Sequence, residues 1–258
     1  MNLPVMFRLL TTIILLAMPL TGSAGAMTAD DWLARADERE AKGDSQGALE
    51  ALKKADDLEP DQAEILVRIA KQHGDLMTRM RDPEERKMAA ETSLVYSRRA
   101  LELDPRLGDA HLSVAISLGK STEFMGNREK IETSREIRER AERALELNPE
   151  CDYAHHMLGR WHQELAGIGT ATRALARVIY GGLPSASYDE ALHHLGRARE
   201  LRPDRLLHRI EYGRTLAMMG REAEARKLLA ESLEMPERDM DDAEAKDRGR
   251  ATLHGIGG

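Results

Sequence analysis

At 258 residues, with 38 Lys and Arg against 45 Asp and Glu, the chain carries a net charge of −7 at neutral pH. A mildly acidic surface of mixed sign argues against nucleic acid as a partner, because phosphates need basic patches. The single cysteine, Cys151, excludes an intramolecular disulfide. Aromatics at 3% beside abundant Ala, Leu, Glu and Arg describe close-packed helices and not a sheet.

The chain opens on an address. Arg8 precedes a short apolar run, Leu9 to Leu20, and Ala24-Gly25-Ala26 supplies a small-residue cleavage pattern. Residues 1–26 are therefore expected to be a signal peptide, the remainder being exported to the periplasm with no membrane span after cleavage. The alternative is an uncleaved signal that anchors the same domain outside the cytoplasm.

Beyond it, one phrase recurs four times: KADDLEP (Lys54 to Pro60), RALELDP (Arg99 to Pro105), RALELNP (Arg143 to Pro149) and RARELRP (Arg197 to Pro203). A phrase repeated at such intervals marks one supersecondary unit stacked on copies of itself. Set in phase by the prolines, the first unit places Trp32, Ala36, Ala48, Leu52, Ala55 and Pro60 at tetratricopeptide signature positions. The second and third units run longer than the period of about 34 residues, yet keep Ile69-Ala70 and Val114-Ala115 on helix A and Ala100 and Ala144 on helix B. The fourth shows Leu158-Gly159, then Ala191, Leu195 and Ala198 before Pro203; the fifth shows Tyr212-Gly213, Ala225 and Leu229 before Pro236. A charged, helix-favouring stretch to Leu253 reads as a capping helix, and residues 254–258 as a disordered tail. No stretch alternates with period two, so no sheet is expected. The predicted fold is all-α: a right-handed tetratricopeptide-like solenoid of about five helix-turn-helix units plus a C-terminal cap, one domain over 27–253.

The stretch Gly159 to Pro203 is more specific. It opens on Gly159-Arg160-Trp161, carries an amphipathic helix ending near Tyr180-Gly181-Gly182, and passes through Pro184 to Tyr188 into Glu190-Ala191-Leu192. In these features the chain resembles the regulator of microtubule dynamics family of tetratricopeptide-like proteins. The resemblance implies the helical-repeat fold. Animal members are linked to microtubules and the mitochondrial surface, and one branch resembles a phospholipid-binding or lipid-transfer module at organelle contacts. A cleavable signal departs from that setting and suggests a bacterial exported member.

Helix A of such repeats lines a concave groove. Lys71, Arg160 and Arg214 fall at the same groove position in units two, four and five, and His156 lies beside them; three cations there could hold a carboxylate or phosphate. The competing reading is that they pair with neighbouring Glu and stay solvated. The inserted segment Thr170 to Tyr180 places Ala171, Ala174, Leu175, Val178 and Ile179 on one face, with Arg173 and Arg177 a turn apart on another. It could line a lipid cleft or touch a membrane, but so short a helix with only two basic residues is expected to cover its own repeat's core. Among the histidines, His155 and His162 lie seven apart and His193-His194 are adjacent, and neither pair has the i, i+4 spacing with an adjacent acid that a zinc helix uses, so no metal and no cofactor is expected. No acid–base–nucleophile set stands out, and no catalysis is expected. The expected function is non-catalytic: a groove that holds a protein or peptide partner of anionic character, with phospholipid binding as the alternative.

Overall fold

The computed structural model describes residues 26–257, so the predicted signal segment 1–26 lies outside the described residues except for Ala26. Five helix pairs follow one another: α1 (Ala29–Ala41) with α2 (Ser45–Leu58), α3 (Ala63–Met77) with α4 (Pro83–Leu103), and α5 (Gly108–Ser121) with α6 (Asn127–Leu147). Next come α7 (Asp152–Ala166) and α9 (Tyr188–Leu201) with the inserted α8 (Thr170–Tyr180) between them, then α10 (Leu206–Met218) with α11 (Glu222–Leu233). Helix α12 (Asp242–Ile256) closes the array. The two helices of each pair pack on one another and successive units pack in turn, with α8 standing outside this packing, and the described residues contain no strand. This is the expected solenoid of five helix pairs with a cap.

The recurrent phrase has a local cause. The residues before the four prolines, Glu59, Asp104, Asn148 and Arg202, all leave the helix at φ between −130° and −141°, the extended backbone that a following proline imposes. Each donates its amide to the carbonyl of the phrase alanine, Ala55, Ala100, Ala144 or Ala198. Those four alanines are buried where helices cross. The phrase therefore specifies a stop and a close crossing together. Helix starts are equally local: Thr28 and Asp31 form a capping box on α1, Asp44 and Asp82 cap α2 and α4, and Ser187 caps α9.

The stretched units absorb their extra length in helix B. Helices α4 and α6 have 21 residues each, against 14 in α2 and α9. Backbone crossing within units four and five is too tight for any side chain. A Cβ on Gly159 would lie 2.5 Å from Leu195 Cγ, and one on Gly213 would lie 2.8 Å from Leu229. Apolar burial then runs along the array, from Leu52, Leu66 and Ile69 at one end, through Val114, Leu158 and Trp161, to Leu206, Ile210 and Leu229 at the other.

The C-terminus differs from the expected disordered tail at 254–258. Helix α12 runs on to Ile256, whose carbonyl accepts a hydrogen bond from Arg226 of α11. That bond satisfies an otherwise open helix-end acceptor and extends the helix over most of the tail.

Candidate functional site

The inner helices of the five units, α1, α3, α5, α7 and α10, carry the groove residues, and the chain's own C-terminal segment reaches those of units two to five. Arg79 just beyond α3 contacts Met240, Lys120 of α5 lies 3.8 Å from Asp241, and Arg205 next to α10 lies 3.7 Å from Asp239. Helix α12 packs on α10 and α11, and Met235 packs with Tyr153 of α7 against the Leu206–Ile210 cluster.

At the centre of this packing sits Glu211, 0% exposed. Arg214 Nη1 donates to its Oε2 at 2.5 Å, Arg248 Nε of α12 donates to its Oε1 at 2.9 Å, and Arg160 Nη1 lies 3.6 Å from Oε1. Burial by itself would raise the Glu211 pKa, but the charges of Arg160, Arg214 and Arg248 prevail and hold it below the ordinary value. Arg160 also donates to Glu164 at 3.1 Å. Two of the predicted groove cations thus meet, but on an internal carboxylate. The third, Lys71, donates to Asp75 at 2.6 Å on its own helix. Burial raises the Asp75 pKa despite Lys71 and Lys120. Of the two readings of these cations, the geometry is that of intramolecular pairing.

His156 is buried and belongs to a relay. Its Nδ1 lies 3.1 Å from His208 Nδ1, and His208 Nε2 lies 2.8 Å from Asp152 Oδ2. Arg205 reaches the same carboxylate at 3.2 Å, and Tyr153 meets both rings edge-on. Burial pushes the His156 pKa well below its ordinary value, so the ring is neutral. Burial would raise Asp152, but the His208 hydrogen bond and the Arg205 charge bring it down to about 2. This network ties α7 to α10.

The inserted helix α8 corrects the expectation that it covers its repeat's core. Only Ala176 is buried, while Leu175, Val178 and Ile179 are 59%, 84% and 55% exposed. Arg173 folds back to donate to the carbonyls of Leu165 and Ile168 at the end of α7. Anchored there, the helix turns its apolar face to solvent, with Arg177 exposed in its last turn. Arg135 donates to the Gly182 carbonyl at 3.2 Å, and Arg135, Arg138, Leu183 and Pro184 line a cleft of about 330 Å³ beside the helix end. Sequence periodicity found this helix but not its orientation. The sequence places Glu211 at an inward-facing position of the fifth unit but gives it no role and does not point to Arg248, because a Glu there has no meaning until its partners are placed.

The sequence matches the family described as Regulator of microtubule dynamics protein 1-3 over residues 32–257. The chain belongs to the regulator of microtubule dynamics family. Among curated relatives it is 30% identical to Regulator of microtubule dynamics protein 1 of Mus musculus over 164 residues, which is 63% of this chain and 52% of that protein. Against Regulator of microtubule dynamics protein 2 of Homo sapiens it is 29% identical over 143 residues, 55% of this chain and 35% of that one. The matched region thus spans about half or less of those family members. Among solved structures, the fold is similar to TTC0263, a thermophilic TPR protein of Thermus thermophilus, with a TM-score of 0.62 at 18% identity, covering 88% of this chain and 100% of that one. It is also similar to PilF of Pseudomonas aeruginosa, with a TM-score of 0.54 at 14% identity over 89% and 88% of the two chains. These likenesses establish the tetratricopeptide-like fold. Among the described residues, no helix is long and apolar enough to cross a membrane.

Proposed function

We propose that this chain is a non-catalytic scaffold that holds a protein partner, engaged through α8 and the adjoining rim of the array. The observation that carries this reading is the solvent-facing stripe Leu175, Val178 and Ile179 on a helix inserted into an otherwise regular repeat. Apolar side chains gathered on one exposed helix face are the signature of a contact surface. The basic residues around it, Arg177 on the helix and Arg135 beside the cleft, favour a partner whose rim is acidic. Along the inner helices, by contrast, Met235, Asp239, Met240 and Asp241 of the chain's own C-terminal segment make contacts. The fold supports binding over catalysis, and export to the periplasm remains part of the proposal on the strength of the N-terminal segment.

The same stripe supports a second reading, in which α8 rests on or encloses phospholipid. A photo-reactive amino acid placed at position 178 of the full chain in cells separates them, with position 95, an exposed valine on α4, as the control. A discrete protein adduct specific to position 178 is the expected result, and a lipid adduct there favours the second reading. Equal labelling at both positions would remove α8 as the contact face.

A further inference from the structure

Histidines from two helices converge where α7 lies against α9. The donor atoms of His162 on α7 and of Glu190 and His194 on α9 all lie within 4.8 Å of one another. Glu190 and His194 stand one turn apart on α9, so both project from the same helix face toward His162. The His162 and His194 rings stack at 5.9 Å between centroids.

The surrounding hydrogen bonds fix which nitrogens are available. His155 Nε2 lies 3.1 Å from the Pro149 carbonyl, an acceptor only, so Nε2 carries the proton and His155 Nδ1 is a lone pair. That lone pair lies 3.1 Å from His194 Nδ1, which must therefore be the donor. His194 Nε2 is left as a lone pair. An imidazole that donates one N–H to a partner while presenting its other nitrogen is the outer-shell arrangement of metal-binding histidines. His162 supplies an independent sign. It is 8% exposed, and its buried Nδ1 has no hydrogen-bond partner among the described residues. The nearby Arg138 charge is compensated by Glu142 at 2.7 Å.

We propose that His162, Glu190 and His194 form a binding site for a divalent transition ion of the zinc class, with His155 positioning the His194 ring. Two imidazoles and a carboxylate suit Zn²⁺, Co²⁺ or Ni²⁺, whereas Mg²⁺ and Ca²⁺ require oxygen donors. Tetrahedral coordination brings donors to about 3.3 Å apart. Closing from 4.8 Å to that spacing takes small side-chain rotations, freest at the exposed Glu190. Three protein ligands leave a fourth position for water or for a side chain of a partner. Within one helix the histidine spacings rule such a site out; it arises only because α9 brings an i, i+4 acid–histidine pair against α7.

The test uses untagged, chelator-treated full-length protein titrated calorimetrically with ZnCl₂, with MgCl₂ as the control. One equivalent of Zn²⁺ is expected to bind, and Ni²⁺ is expected to quench the fluorescence of Trp161, whose ring lies 4.9 Å from that of His162. Glu190→Gln and His194→Gln should each weaken Zn²⁺ binding at least about tenfold, and His155→Phe, which keeps the ring but removes the acceptor, by about tenfold. His254→Gln, at an exposed histidine far along the chain, should leave it unchanged. Glu190 is exposed, so its variant remains folded and decides the matter even if His194→Gln does not fold. Heats equal to those of MgCl₂, or Zn²⁺ affinity unchanged in Glu190→Gln, would overturn the proposal.

Discussion

Glu211 shows how much one side chain can hold. It is a buried carboxylate whose two oxygens serve Arg160 of α7, Arg214 of its own helix and Arg248 of α12. Removing one member of such a set leaves the others charged and desolvated, which is far costlier than losing an exposed pair. Glu211→Gln is expected to lower the unfolding free energy by about 3 kcal/mol, read as a reduced urea midpoint at unchanged slope. The same geometry implies that Arg160→Ala combined with Arg214→Ala lowers stability. These residues looked alike in the sequence as groove cations, and their repeat position was legible. That they share one carboxylate with Arg248 was not, because Arg160 and Arg248 come to Glu211 from other helices and periodicity says nothing about which charges meet.

Helices in this protein obey their local sequence closely. Caps, proline stops and buried alanines appear where the repeat phase places them, because each depends on neighbours within one or two turns. Ala191 is a fully buried example in α9, the helix that packs against α7. Ala191→Trp is expected to overpack that crossing and cost about 3 kcal/mol, seen as a lower thermal midpoint; an unchanged midpoint would show that α9 sits in a different phase. Helix α8 marks the limit of local reading. Its amphipathicity is evident from Ala171 to Ile179, but an apolar face can pack inward or wait for a partner with the same pattern. The fold-back of Arg173 onto the end of α7 decides the orientation, and it belongs to tertiary geometry.

Across the molecule, the histidines couple stability to pH. Burial lowers the pKa of His73 and His194 to about 4, and it also lowers His155, His156 and His162. The unfolded chain takes up protons at these rings near pH 6.5, where the folded chain refuses them. Stability is therefore fully present above about pH 6.5 and is lost as pH falls, for His73 and His194 down to about 4 and by up to about 1.4 kcal/mol per pH unit for each of those two rings. Asp152 acts in the same direction at lower pH. Its folded value of about 2 means that its contribution is present above the ordinary carboxylate pKa and is lost between there and 2. In chelator-containing buffer, the thermal midpoint is expected to fall steeply between pH 6.5 and 4. His73→Gln should flatten part of that slope, because His73 stands apart from the other rings, stacked on Tyr96.

The stacking of antiparallel helix pairs could be read directly from the amino acids, since proline stops, small residues at crossings and apolar periodicity all act over a few turns of backbone. Folding in three dimensions was needed to bring residues tens of positions apart to within a few ångströms: three arginines onto Glu211, His162 onto the Glu190–His194 pair, and the C-terminal segment into the inner curve. Charge pairing and metal ligation act through space over short distances, and a linear order of residues carries no record of which distances the packed chain makes short.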